Sequence, residues 1–291
     1  MTIKLPGPSF WQKNDDYEIR NEDCKNLLKT DHPGIIKRIH LTFLDPPFNQ
    51  GKEYNSHNDN MSEDDYWDWL TRVCKLIYQK TAKGGAIYFM QREKNTSFVL
   101  QALSKSGWTF QNLIIWRKKS AAVPGRTRYA KHYQIIAYAT KGDKPRVFNK
   151  LRIDPPYAKS HSELGYRRPK GMILTDVWDD IRELTSGYFA GDEPLRLKNG
   201  DRFHKQQSPV ALLTRIILSS SKVGDLVFDP FAGTGTTLVV SKQLRRSSIG
   251  LEIDSTNVKN IKKRITKLRK SDKIDKLRND YVHTQNLDKI W

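Results

Sequence analysis

Two apolar stretches of this chain each stop at an Asp-Pro step, which narrows the folds open to it. Residues 35–44, Ile-Ile-Lys-Arg-Ile-His-Leu-Thr-Phe-Leu, read as a buried strand and run straight into Asp45-Pro46-Pro47-Phe48. Residues 226–228, Leu-Val-Phe, read as another strand and end at Asp229-Pro230. Proline has no N–H to give to a ladder, so pairing must stop there and leave an acidic side chain at the strand's carboxyl edge. Helical patterns follow. Ser62 is placed as an N-cap with Asp65 three positions on, ahead of Tyr66, Trp69, Leu70, Val73 and Ile77 at helical spacing. Gly84-Gly85 is expected to close that helix, and Ala86–Met90 to form the next strand. Strand, helix and strand in succession build a parallel sheet.

The same pattern returns in the second half. Pro209 can open a helix capped by Ser208, with Leu212, Leu213, Ile216 and Ile217 facing inward. A helix over 236–244, a strand over 248–253, a basic helix over 259–270 and a polar tail are expected to follow. Strands also fit at 113–116 and 134–139, whereas 118–203 as a whole is rich in Lys, Arg, Gly, Pro and Tyr with weak periodicity. The expectation is an α/β fold, a doubly wound and mostly parallel sheet. Residues 1–117 and 204–291 would form its two halves, and 118–203 an insertion with a binding task that includes the end of the sheet.

The chain has 51 Lys and Arg against 32 Asp and Glu, a formal net charge of +19 over 291 residues. Such an excess suits a polyanionic partner, because bound Lys and Arg release counterions from phosphates. Cys24 and Cys74 are the only cysteines and make neither a disulfide framework nor a zinc knuckle. The histidines lack metal-ligand spacing, so no metal is expected. The first residues have no apolar signal region and no apolar run is long enough for a bilayer, which points to a cytoplasmic enzyme with no membrane contact.

The first constellation with chemistry is Asp229-Pro230-Phe231-Ala232-Gly233-Thr234-Gly235-Thr236-Thr237. A strand ends in an acid, turns through two glycines and enters a helix. The glycines allow close backbone approach, and the helix start offers free N–H groups suited to a carboxylate or phosphate. The stretch is neither a P-loop nor G-x-G-x-x-G. One strand later, Glu252 can accept hydrogen bonds from ribose hydroxyls. The second constellation is Asp45-Pro46-Pro47-Phe48, a stiff turn at a strand end. An exocyclic base amine is a poor nucleophile because its lone pair is delocalised. Acceptors aimed at its two N–H bonds, here the Asp45 carboxylate and Pro46 carbonyl, would free that pair. Phe48 could stack on a base turned out of its helix.

Together the two motifs resemble the amino-methyltransferase family of DNA modification enzymes. In that resemblance Asp45 to Phe48 is the catalytic tetrad and Asp229 to Thr237 the S-adenosylmethionine loop. Leu251-Glu252-Ile253-Asp254 matches the segment holding the cofactor ribose, and Asp23-Cys24 the pair on its adenine. The tetrad precedes the cofactor loop, which implies the permuted β-type subclass with a Rossmann-like fold and a central target-recognition region. In one departure, the family's His-Pro-Thr-x-Lys-Pro is here His204-Lys205-Gln206-Gln207-Ser208-Pro209, so its lysine is missing, which puts a direct cofactor contact from that segment in doubt and leaves the helix start undisturbed. The resemblance implies methylation of adenine N6 in double-stranded DNA, since Asp leads the tetrad. Cytosine N4 is the alternative, needing the same acceptors. It also implies a partner restriction endonuclease and a homodimer. Cytosine C5 chemistry needs a cysteine nucleophile in a setting that neither cysteine has. A nucleic-acid binder on an inactive scaffold is the rival reading, and methylation of RNA or a protein amide a third. Arg126, Arg128, Lys131, Arg167 and Arg168 are candidate DNA contacts. A second tetrad, Asp154-Pro155-Pro156-Tyr157, follows a stretch too polar for a central strand and reads as a turn.

Overall fold

The computed structural model describes residues 17–24, 26, 39–51, 59–120, 124–155, 170–184, 191–204 and 206–291. In chain order the elements are β1 (Tyr17–Asn21), β2 (Ile39–Leu44), α1 (Glu63–Lys80), β3 (Thr81–Arg92), α2 (Thr96–Lys105), β4 (Thr109–Arg117), β5 (Tyr133–Thr140), β6 (Arg152–Ile153), β7 (Met172–Ile173), β8 (Val177–Trp178), α3 (Val210–Ser220), β9 (Leu226–Asp229), α4 (Thr236–Gln243), β10 (Ser247–Glu252), α5 (Ser255–Thr266) and α6 (Leu287–Ile290).

One eight-stranded sheet runs in the order β1-β10-β9-β2-β3-β5-β4-β8. From β1 to β3 every pairing is parallel. β5 runs against both neighbours, and β8 lies parallel to β4. From the central pair the chain leaves in opposite directions, β2 toward β3 and β9 toward β10. This is a topological switch point, where open α/β sheets leave a crevice at the strands' carboxyl ends. The fold is the expected doubly wound, Rossmann-like sheet.

Both faces of the central strands are covered, as a parallel sheet requires. On one face Trp69, Leu70, Val73 and Ile77 of α1 pack with Phe89 and Phe228. On the other, Leu212, Leu213, Ile216 and Ile217 of α3 pack with Leu41, Phe43 and Val227. Each such side chain contributes about 1.5–3 kcal/mol when fully buried. α1 starts where expected: the Ser62 hydroxyl accepts from the Asp65 N–H (3.1 Å) and donates to its carboxylate (2.7 Å).

Three local expectations change. Gly84 and Gly85 do not end the helix, because α1 gives way directly to β3 at Thr81. They form an irregularity inside β3, where the register with β2 jumps from Ile39↔Thr81 to Leu41↔Ala86. Gly84 has φ +71°, and a Cβ there would meet the Arg146 backbone nitrogen at 2.7 Å. As expected of residues 134–139, the region 118–203 contributes β5, buried between β3 and β4, and it also supplies the short β8. The basic helix spans Ser255 to Thr266, both ends four residues earlier than expected, and its start is set by the Asp254 carboxylate, which caps it by accepting from the Thr256 N–H (2.7 Å). The tail is packed rather than solvated: Ile274, Tyr281 and Leu287 join the α3 side of the core.

Asp272 anchors that tail. It is fully buried and accepts from Arg264 and Arg269, both at 2.7 Å. Burial by itself raises its carboxyl pKa, but the two guanidiniums prevail and hold it below the usual aspartate range. Asp272→Ala would leave Arg264 buried without its counter-charge, and a loss of about 3–5 kcal/mol is expected from urea unfolding at pH 7. Because the folded pKa is depressed, this stabilisation is present above the ordinary aspartate pKa. It is lost as pH falls through the lower folded value, so the gap between wild type and variant should narrow in acid.

Candidate active site at the switch point

β2 and β9 pair in parallel register, Thr42 opposite Phe228, so both strands end at the same rim of the sheet. Their next acidic residues, Asp45 and Asp229, line one cavity of about 300 Å³. Asp23, Cys24, Pro46 and Pro47 line it from the early half of the chain, and Phe231 to Thr234, Thr236, Thr237 and Glu252 from the late half. Gly235 is not in the wall. It is the N-cap of α4 at φ +76°, and a Cβ there would meet Ile261 at 2.7 Å. Only glycine fits that turn.

The glycine loop is braced from three directions. The Ala232 N–H donates to the Leu251 carbonyl (2.8 Å). The Gly233 N–H donates to Glu252 Oε2 (2.8 Å), while Glu252 Oε1 accepts from the Asp254 N–H (2.9 Å). Two backbone donors still leave lone-pair sites on the Glu252 carboxylate for ribose hydroxyls. From below, Arg264 Nη1 donates to the Thr234 carbonyl (2.9 Å) and the Thr236 hydroxyl (3.0 Å).

The proline turn is equally held. The Tyr66 hydroxyl donates to the Pro47 carbonyl (2.6 Å) and accepts from Gln91 (2.9 Å). Beyond it, the Asp59 carboxylate accepts from the Asn49 and Gln50 N–H groups (2.8 and 3.0 Å). Asp45 Oδ2 accepts from the Ser208 hydroxyl at 3.0 Å. Ser208 therefore serves the site and does not cap α3, whose first N–H, on Val210, donates to the Glu193 carboxylate (2.6 Å). His204 and Gln206 also line the cavity, so this segment reaches the site without the family's lysine. Sequence reading assigned Trp69 to the core alone. It both packs in the core and lines the cavity, its ring edge-on to Phe231 at 5.6 Å.

A second cavity, of about 460 Å³, shares Asp45, Arg202, Gln206 and Ser208 with the first. Phe48, buried at 3% exposure, lines this second cavity and not the first. Asp45 thus stands on the wall between two chambers. Of the DNA-contact candidates, Lys131 lines the second chamber and pairs with Glu93 (2.7 Å), and Arg126 and Arg128 are exposed. Arg167 and Arg168 lie outside the described residues. The second tetrad is elsewhere: Asp154 follows the two-residue β6 in a separate small sheet and pairs with His283 (3.0 Å). Pro156 and Tyr157 are outside the described residues.

The first chamber suits S-adenosylmethionine by charge. On a strongly basic chain its wall carries the carboxylates Asp23, Asp45, Asp229, Glu252 and Asp254, with Arg202 the guanidinium among its described residues. That is a setting for a cationic ligand with hydroxyls. Burial raises the Glu252 pKa, and it pushes Asp229 up to about 7 against the pull of Thr237 and the Phe231 N–H. Among the described residues, no cluster of His, Cys, Asp and Glu could hold a metal ion, and no helix is long and apolar enough to cross a membrane.

A family model described as DNA methylase, for the N6 and N4 enzymes, matches residues 39–263. The chain is 32% identical over 269 residues to the type II methyltransferase M.BamHI of Bacillus amyloliquefaciens, covering 89% of this chain and 59% of that protein. It is 30% identical over 252 residues to the DNA adenine methyltransferase YhdJ of Escherichia coli K12, covering 81% of each. Among solved structures, the M1.HpyAVI–SAM complex superposes with a TM-score of 0.59 at 20% identity, covering 86% of this chain and 100% of that one, a likeness of fold.

The Asp229 shift has a measurable consequence. Its folded pKa of about 7 lies above the ordinary value of 3.8, so the folded chain holds this proton more tightly than the unfolded one. Stability of the ligand-free protein should therefore fall as pH rises from about 4 to about 7, by roughly a few kcal/mol. Asp229→Asn should flatten that decline, read as the melting temperature against pH.

Proposed function

The chain belongs to the N6/N4 DNA methylase family, and from that premise we propose that it transfers a methyl group from S-adenosylmethionine to the N6 amine of adenine at a specific site in duplex DNA. The observation that carries the reading is the position of Asp45 on the wall shared by the two chambers. A cofactor held by the first chamber and a base in the second would meet across it.

When bound, S-adenosylmethionine supplies an electrophilic methyl on a positively charged sulfur. The chain's own residues supply positioning. The Asp45 carboxylate and the Pro46 carbonyl accept the two N–H bonds of the target amine, which favours a pyramidal nitrogen with a free lone pair. Ser208 fixes the carboxylate for that task. Phe48 offers a stacking face to the extruded base, and Pro47 is the rigid joint, its carbonyl already taken by Tyr66. In the first chamber Glu252 accepts ribose hydroxyls, Asp23 and Cys24 border the adenine, and Phe231 to Thr234, Thr236 and Thr237 with Asp229 enclose the remainder, Gly235 shaping the turn behind them. Arg126, Arg128 and Lys131 serve the DNA, with Arg167 and Arg168 proposed from sequence alone. Residues 118–203 form the target-recognition region, 1–117 the catalytic half and 204–291 the cofactor half. A homodimer and a partnering restriction endonuclease belong to the same reading and rest on the resemblance, and a cytoplasmic location is carried over from the sequence pattern alone.

Adenine is preferred because Asp opens the tetrad and because the relative YhdJ is described as a DNA adenine methyltransferase. Mass spectrometry of nucleosides from treated DNA should report N6-methyladenine; N4-methylcytosine would overturn the choice of base and keep the family chemistry. Asp45→Ala should cut methyl transfer from tritiated S-adenosylmethionine by about 10²–10³. Cofactor affinity by calorimetry should stay within a few-fold, and equal label incorporation by both proteins would refute the role of Asp45. Binding to duplex DNA should weaken by about 10³–10⁵ between 50 and 200 mM salt if six to ten phosphates are contacted.

A further inference from the structure

We propose that Tyr129, near the tip of the β4–β5 connection, is a wedge that enters the duplex and fills the space vacated when the target base swings into the second chamber. This role rests on the amino-methylation reading above.

β4 and β5 pair to their ends, Arg117 opposite Tyr133, and the Lys118 N–H donates to the His132 carbonyl (2.8 Å). The connection therefore leaves and re-enters the sheet at one point. Its base is part of the second chamber, whose wall includes Lys118, Ser120, Lys131 and Tyr133. Two clamps hold that base. The buried Glu183 carboxylate accepts from the Lys119 and Ser120 N–H groups (2.8 and 3.0 Å), and Lys131 pairs with Glu93 (2.7 Å).

Above the clamps, a bridge between Gly125 and Arg128 pins a tight turn. Arg126 and Arg128 are exposed there, and Tyr129 is 99% exposed, whereas Val282, the next most exposed large apolar side chain described, stands at 56%. A single exposed aromatic is ordinary on a protein surface. This one differs in what surrounds it. It lies two residues from Lys131, so about 7 Å of chain at most separates it from the chamber wall. It is flanked by guanidiniums suited to phosphates. A flat ring that stabilises nothing in the free protein can stack between base pairs and replace the contacts an extruded base gives up.

The test uses duplexes carrying the recognition sequence found by methylation-sensitive sequencing, under single-turnover conditions. Tyr129→Ala should slow methylation of the matched duplex about 10- to 100-fold, the loss of one base–aromatic stack. On a duplex whose target base faces an abasic site, where extrusion needs no wedge, the loss should shrink to less than about 3-fold. Tyr129→Trp should keep the matched-duplex rate within a few-fold of wild type. An unchanged rate for Tyr129→Ala on the matched duplex overturns the proposal, as does an equal loss on both duplexes, which would mark a general DNA contact. Wild type that methylates neither duplex overturns the proposed function itself, and with it this role.

Discussion

The parallel pairing of β2 with β9 is the constraint on which the site depends. Parallel neighbours deliver their carboxyl ends to one edge, and the chain departs from this pair in opposite directions. A crevice opens there because no crossover connection covers it. Asp45 and Asp229 are the first residues past, or at the end of, the two ladders, so both reach the crevice. The prolines that follow stop each ladder from continuing and closing the gap.

Charge is distributed with opposite signs at two scales. The chain as a whole is strongly positive, yet the first chamber gathers five carboxylates. Burial makes such a cluster costly, and backbone N–H groups offset part of the cost: Glu252 takes those of Gly233 and Asp254, and Asp229 takes that of Phe231. The surplus appears as raised pKa values at Asp229 and Glu252. A cationic ligand entering this chamber would relieve that strain, while the outer surface attracts a polyanion.

Support reaches the site from side chains outside its walls. Asp272, in the packed tail, orients Arg264, and Arg264 holds the Thr234 carbonyl and Thr236 hydroxyl beneath the glycine loop. Tyr66 and Gln91 hold the proline turn in the same manner from α1 and β3. Both reactive turns are thus fixed by buried donors on other elements, the kind of bracing that keeps a site preorganised.

Much of this was legible in residue order alone, because the signals are local. Proline ends a ladder wherever it falls, Ser62 and Asp65 cap a helix by their own reach, and the two glycines mark a left-handed turn that at Gly235 leaves no room for a Cβ. The same locality misled where chemistry was ambiguous. Ser208 before Pro209 has every attribute of a helix cap, yet its hydroxyl turns to Asp45, a partner far away in sequence, and Glu193 takes the helix N–H instead. Gly84-Gly85 resembles a helix terminator and is an irregularity in a strand, because the register with β2 had to shift. Sequence by itself determined the central strands and the helices beside them, the two reactive turns and the charge. Tertiary structure alone decided that those turns meet, that Asp45 divides two chambers, and that the tail braces the loop, since each depends on which distant strands and helices pack side by side.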